Sequence, residues 1–199
     1  RNKKKIKYGA GVSLRYKDIF NFKGIKEEKN ILVLGSYIET DTKFMLDSVK
    51  EFDNLIFKNH PVVDIEKLGK LPDNIIVSSK SIHELFENAK IVIVTSASGT
   101  AVEAASCGIP VITIASQQNL KANALVEKGK GKIWEIAFNA NKIYKIYKKL
   151  INYKANNKKE IVELANWYKD NFFIEPTKEN ISGVFELDNK KTSKNFLLN

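Results

Sequence analysis

The sequence is poorest in the residues that crosslink chains or grip nucleic acid. One cysteine in 199 residues, Cys107, excludes a disulfide framework and offers no metal-ligand spacing, which points to a reducing, cytoplasmic setting. Of the 33 basic residues only Arg1 and Arg15 are arginines. The net charge of +10 is therefore a lysine charge, without the guanidinium forks that read bases and phosphates, and no nucleic-acid partner is expected. The longest apolar runs, such as 91–94 and 109–114, fall far short of the roughly 20 residues of a membrane span. The opening RNKKKIK leads into no apolar signal-peptide core, and no methionine precedes it, so the chain reads as cut from something longer. Chemical signatures are missing too. There is no D-x-D carboxylate pair, no G-x-G-x-x-G after a strand, no G-x-x-x-x-G-K-[ST] and no G-x-S-x-G, so neither a metal nor a separate cofactor is expected.

What is present is alternation. The composition, 43% hydrophobic and 28% charged, suits a globular core, and from residue 30 short apolar runs alternate with amphipathic stretches. Strands are predicted at 31–35, 54–58, 74–77, 90–95 and 109–114, with a weaker one at 132–136. Helices are predicted at 41–52, 81–89 (opened by a Ser81/Glu84 capping box), 99–107 (stopped by Gly108) and 120–128 (stopped by Gly129), with further helical patterns in the last third. This is the pattern of an α/β, Rossmann-like open parallel sheet flanked by helices. The division expected is an N-terminal connector over 1–29, the sheet domain over 30–187 and a polar tail over 188–199.

In such a sheet, ligands bind beyond the carboxyl ends of the strands. Five loops qualify, and the one within TSASGTAVEAASCGIPVITI, residues 95–114, is the richest. It carries Ser96, Ser98, Gly99 and Thr100 into a helix start, where unpaired amides and the dipole favour an anion and hydroxyls add donors without charge. Thr100 with Glu103 also fits a capping box that needs no ligand, and the two readings stand side by side. In KNHP, His60 follows a strand and precedes Pro61, placed to donate to a phosphate or protonate a leaving group. His83, inside a capped helix, reads as a surface residue.

The stretch 95–114, followed by QQNLKANALVEKGKG, resembles the donor-binding C-terminal half of GT-B glycosyltransferases, with features of cell-wall N-acetylglucosaminyltransferases. KNHP is similar to the His-Pro motif of bacterial sialyltransferases and Kdo transferases, and YGAGVSLRYKDIF and FFIEPTKENI look like edges of such domains. The resemblance implies a Rossmann-like half of a GT-B architecture serving capsule or lipopolysaccharide synthesis. It implies that Ser36, Ser96, Ser98, Gly99 and Thr100 cradle the donor phosphate, that Glu103 takes the ribose hydroxyls and that His60 is catalytic at the leaving phosphate. It also implies that Ser79 and Ile82 meet the base and that Gln117 and Gln118 meet the sugar. The cell-wall features suggest a UDP-sugar and the His-Pro motif a CMP-sugar; Gly35-Ser36-Tyr37 departs from the glycine-rich first loop of the former.

The implied partners are a nucleotide-sugar donor, a glycan or lipid-linked acceptor, and an N-terminal Rossmann half, fused or separate. Two other readings keep the sheet and change the role. One is a nucleotide-sugar hydrolase or 2-epimerase of the same fold. The other is a non-catalytic interaction domain in which Thr100 and Glu103 only cap a helix. The lysine-rich NKIYKIYKKLINYK is expected to pack Ile143, Ile146, Tyr147 and Leu150 inward, its alternative being peripheral contact with the inner membrane face.

Overall fold

The computed structural model describes residues 11–116 and 122–185. The six strands form one sheet, each paired in parallel with its neighbours: β1 (Asn30–Leu34), β2 (Leu55–Lys58), β3 (Ile75–Val77), β4 (Ala89–Thr95), β5 (Val111–Ile114) and β6 (Trp134–Ala137). Their order across the sheet is β3-β2-β1-β4-β5-β6, so the direction of winding reverses between β1 and β4.

Near-continuous apolar sequence in the central strands follows from burial on both faces. In β1, Ile31 and Val33 join one core and Leu32 and Leu34 the other; in β4, Ile91 and Ile93 part in the same way from Val92 and Val94. On the first face lie α2 (Glu39–Val49), through Met45, Leu46 and Val49, and α5 (Ile143–Asn156), through Ile143, Ile146 and Leu150. On the second lie α3 (Ile82–Phe86), α4 (Thr100–Ser106) and α6 (Lys158–Phe172), the last through Ile161, Leu164 and Tyr168. Only Asn157 separates α5 from α6, yet they serve opposite cores, so the chain crosses the sheet's end there. Glu160 holds this crossing by accepting from Lys132 at 2.6 Å and from the Tyr153 hydroxyl. α7 (Lys178–Phe185) follows.

The Rossmann-like sheet expected from the sequence is the one observed, and the Ser81/Glu84 capping box forms in both directions. The helix expected at 120–128 does not form over the described residues 122–128. The groups a helix would use there are engaged elsewhere. The Ala124 N–H donates to the Ser96 carbonyl, the Leu125 N–H to Asn123 Oδ1, and the Val126 and Lys128 carbonyls accept from Tyr168, the latter also from Trp134.

The fifth strand starts at Val111 rather than 109, because the Ile109 N–H bonds back to Ala104 and finishes α4 around Gly108 at φ +71°. Within the stretch expected as a connector, a 3-10 turn at Leu14–Tyr16 runs into α1 (Lys17–Asn21), whose Ile19 is fully buried. Among the described residues no helix is long and apolar enough to cross a membrane.

Gly129 tests this packing. Its φ is +73°, and an added Cβ would meet Ile133 Cγ2 at 2.9 Å and Leu164 Cδ2 at 3.2 Å. Gly129→Ala is expected to cost about 2 kcal/mol or more from combined strain and overlap. Gly183→Ala, with open space around it in α7, is expected to be neutral or stabilising by about 0.5–1 kcal/mol. Chemical denaturation of the two variants measures the contrast.

Candidate functional site

A cleft of about 300 Å³ opens where β1 and β4 part. Its walls are the exits of three strands: Leu34 to Tyr37 after β1, Lys58 to Pro61 after β2, and Thr95 with Ala97 to Thr100 after β4. Arg15 and Tyr16 reach in from the N-terminal turn, Ile82 from α3 and Glu103 from α4. The reversal of winding sends α2 to one face and α3 and α4 to the other, leaving this gap at the carboxyl edge.

Local hydrogen bonds shape each wall. Ser36 is buried; its N–H donates to Thr42 Oγ1 at 2.9 Å and its Oγ accepts the Ile38 N–H at 3.0 Å, which bends the chain into α2. Gly35 lies so close to the β2 exit that a Cβ there would meet the His60 backbone nitrogen at 3.0 Å. His60 is half-buried, edge-on to Tyr37 with ring centroids 6.3 Å apart. Its Nδ1 makes a long contact, 3.4 Å, with the Val62 N–H; an accepting Nδ1 makes Nε2 the donor of the neutral ring. Lys58 Nζ donates to the Lys80 carbonyl at 2.7 Å, tying the exits of β2 and β3 together.

At the β4 exit, Gly99 is the residue before the helix and makes no side-chain cap; Thr100 is the first helical residue. The capping-box reading of Thr100 and Glu103 is therefore not what forms. Instead the Thr100 hydroxyl acts on the Glu103 carboxyl, favouring its charged form. With φ −60° and nothing within 4 Å of an added Cβ, Gly99 has neither a conformational nor a packing need to be glycine. Its bareness leaves the backbone open on the cleft side. α4 has only seven residues, so its dipole is a smaller attraction for an anion than the side chains of Arg15, Lys58 and His60 around the same opening.

Glu103 is 7% exposed, and burial pushes its carboxyl up to about 7, with Arg15 and the Thr100 hydroxyl opposing. The sequence reading of His83 as a surface residue is corrected. It is half-buried, with Nε2 3.6 Å from Glu103 Oε2, because α3 packs Phe86 into the core and turns the ring of His83 edge-on to it.

Of the residues singled out in the sequence, His60, Ser36, Ser98, Gly99, Thr100, Glu103 and Ile82 line one cleft. Ser96 is buried behind it, its carbonyl receiving Ala124, and Ser79 is exposed on the loop after β3 outside the lining. Gln117 and Gln118 lie outside the described residues. Tyr37 and Asn59, in two of the five strand-exit loops expected to meet a ligand, also line the cleft, whereas sequence reasoning missed Arg15 and Tyr16 as wall residues. The rarity of arginine was a signal that could have found Arg15; nothing in the local pattern marks Tyr16. Among the described residues no group of three or more His, Cys, Asp or Glu is arranged to hold a metal ion.

Residues 43–172 match the family model described as erythromycin biosynthesis protein CIII-like, C-terminal domain. The chain belongs to this family. The fold of this EryCIII-like C-terminal domain is shared with solved GT-B glycosyltransferases. The glycosyltransferase SnogD from Streptomyces nogalater aligns at a TM-score of 0.57 and 19% identity, over 92% of this chain and 49% of that one. The glycotransferase of kitacinnamycin aligns at 0.53 and 16%, over 82% and 46%, and the calicheamicin glycosyltransferase CalG4 at 0.53 and 13%, over 81% and 43%. The chain thus spans about half the length of these structures. No curated protein matches it.

The buried carboxyl makes the EryCIII-like domain's stability depend on pH. With its value raised from 4.5 to about 7, Glu103 keeps a proton in the folded chain that the unfolded chain has released. This contribution is complete below about pH 4.5 and is lost as pH rises through 7. Glu103→Gln has nothing to lose over that range. The melting temperature of the variant relative to wild type is expected to rise between pH 4.5 and 8; a difference that stays constant contradicts the burial argument.

Proposed function

We propose that this chain is the nucleotide-sugar donor-binding half of a metal-independent glycosyltransferase. The observation that carries the reading is the bare backbone at Gly99. It faces a cleft lined by the side chains of Arg15, Lys58 and His60 and by the buried carboxyl of Glu103. Cations and a histidine donor suit a phosphate and a carboxylate suits a diol, the two kinds of polar group that a nucleotide carries on its ribose and phosphate.

In this reading Ser98, Gly99 and Thr100 hold the phosphate and Glu103 takes the ribose hydroxyls. His60 donates through Nε2 to the phosphate oxygen that gains negative charge as the glycosidic bond breaks. A preorganised donor there lowers the barrier because the charge it meets is larger in the transition state than in the ground state. Ile82 supplies an apolar surface for the base. Gln117 and Gln118 remain the proposed sugar contacts, and Ser36 shapes the β1 exit more than it meets phosphate, since its Oγ already accepts Ile38.

Donor and acceptor are proposed at the level of class. The His-Pro pair at His60 and Pro61 supports a CMP-sugar, and the segment around 95–131 a UDP-sugar, used in bacterial capsule or lipopolysaccharide synthesis with a second Rossmann half contributing the acceptor site. A second acceptor class is favoured by the family match, whose namesake is an erythromycin biosynthesis protein: a small-molecule aglycone in place of a glycan.

Thermal-shift titration with CMP, CDP, UDP and GDP tests the donor site. At least one pyrimidine nucleotide is expected to raise the melting temperature by several degrees at millimolar concentration, through binding to the folded state alone. Gly99→Ala is expected to leave the melting temperature of the free protein unchanged, its Cβ entering open space, and to weaken that nucleotide about tenfold or more. If none of the four nucleotides shifts the transition, the donor-site reading fails.

A further inference from the structure

Behind the cleft, outside its lining, His83 faces the carboxyl that the donor site uses. Its Nε2 is fully buried without a hydrogen-bond partner and lies 3.6 Å from Glu103 Oε2. Its Nδ1 lies 3.7 Å from Asp18 Oδ2 of α1, whose side chain is 66% exposed. A bare imidazole nitrogen next to a buried carboxyl costs stability unless the two share a proton. The arrangement suits Nδ1–H directed at Asp18, leaving the Nε2 lone pair directed at Glu103.

The other charged or titratable groups near the pair come from three elements. Arg15, on the N-terminal turn, favours the charged form of Glu103. Cys107, at the end of α4, is a thiol that burial pushes up to about 12 and so stays neutral. Lys169 of α6 acts on Cys107 from beyond it. Phe86 closes the remaining side of the imidazole. Burial lowers the affinity of His83 for a proton in the empty protein, and Asp18 raises it.

We propose that His83 is the positioning residue of Glu103 and the acceptor of its proton when a ligand diol enters the cleft. The proposal rests on the donor-site reading. A protonated carboxyl spends one oxygen on its own hydrogen, whereas a carboxylate accepts from two vicinal hydroxyls, so diol binding favours ionisation. The Glu103 O–H bond breaks and an N–H bond forms at His83 Nε2. The imidazolium then lies between Glu103 and Asp18, two carboxylates, and no proton leaves the protein. A chain with Glu103 protonated then binds the diol without releasing a proton to solvent, so the affinity does not fall as pH drops below 7.

Isothermal titration of the 199-residue chain with UDP, or with CMP where UDP does not bind, tests this in two buffers of different ionisation enthalpy at pH 6.5. Wild type is expected to give the same heat in both. His83→Gln keeps a polar side chain beside Glu103 but cannot take the proton. It is expected to give buffer-dependent heats, and its affinity is expected to rise about tenfold from pH 6 to pH 8, the change required by a carboxyl at about 7.

Nitrogen NMR of the His83 ring in wild type provides a reading that needs no variant: the nucleotide is expected to convert it from the neutral to the imidazolium pattern at pH 7. Nucleotide binding with equal proton release in wild type and variant, or with an unchanged ring, overturns the relay while leaving the donor site standing. If neither nucleotide binds, the donor-site reading has failed and the relay goes with it.

Discussion

The parallel pairing of β1 with β4 is the constraint from which the rest follows. Ile31, Leu32 and Val33 register with Ile91, Val92 and Ile93, and both strands are buried on two faces, so neither can shift without exposing apolar side chains. Because the winding reverses at this pair, the chain leaving β1 turns to one face and the chain leaving β4 to the other. No helix can then cover the gap between the two exits. The cleft is a consequence of topology, and its residues are whatever the chain places at those exits.

Within that gap, desolvation sets the chemistry. Glu103 is carried into the wall by a short helix packed against β4, β5 and α6, and the depth that suits it to a ligand also disfavours its charge. Arg15 and Thr100 offset part of this cost, and His83 Nε2 lies 3.6 Å from the carboxyl. Gly99 makes the complementary point: a backbone position with no internal need for glycine lies at the cleft's open side. A buried carboxyl and a bare backbone are both costs or omissions as far as folding is concerned, and they become intelligible together as features of the proposed donor site.

Much of this was legible in the linear pattern because it depends on local periodicity. Two-sided apolar runs marked the strands, Ser81 and Glu84 the start of α3, and Gly108 the end of α4. The loss of the helix expected near 120–128 has a different origin. Its apolar spacing is compatible with a helix, but Ser96, Trp134 and Tyr168 take the backbone groups of 124, 126 and 128, and those partners are distant in sequence. The surface reading of His83 failed for the same reason: helix position fixes which way a side chain leaves, not what α1 and α4 bring beside it.

By itself the sequence determined the class of fold, the strand exits at which a ligand would be held, and the group of hydroxyls, histidine and carboxylate available there, since each is a property of short segments. Only the tertiary structure decided which of them meet. It brought Arg15 from the N-terminal turn to the cleft and set Ser96 and Ser79 outside it. It also turned Thr100 from a cap into a partner of Glu103 and put a second histidine behind that carboxyl. The physical reason is that burial and proximity between residues tens of positions apart are set by how helices pack on the two faces of the sheet, and no local pattern encodes that distance.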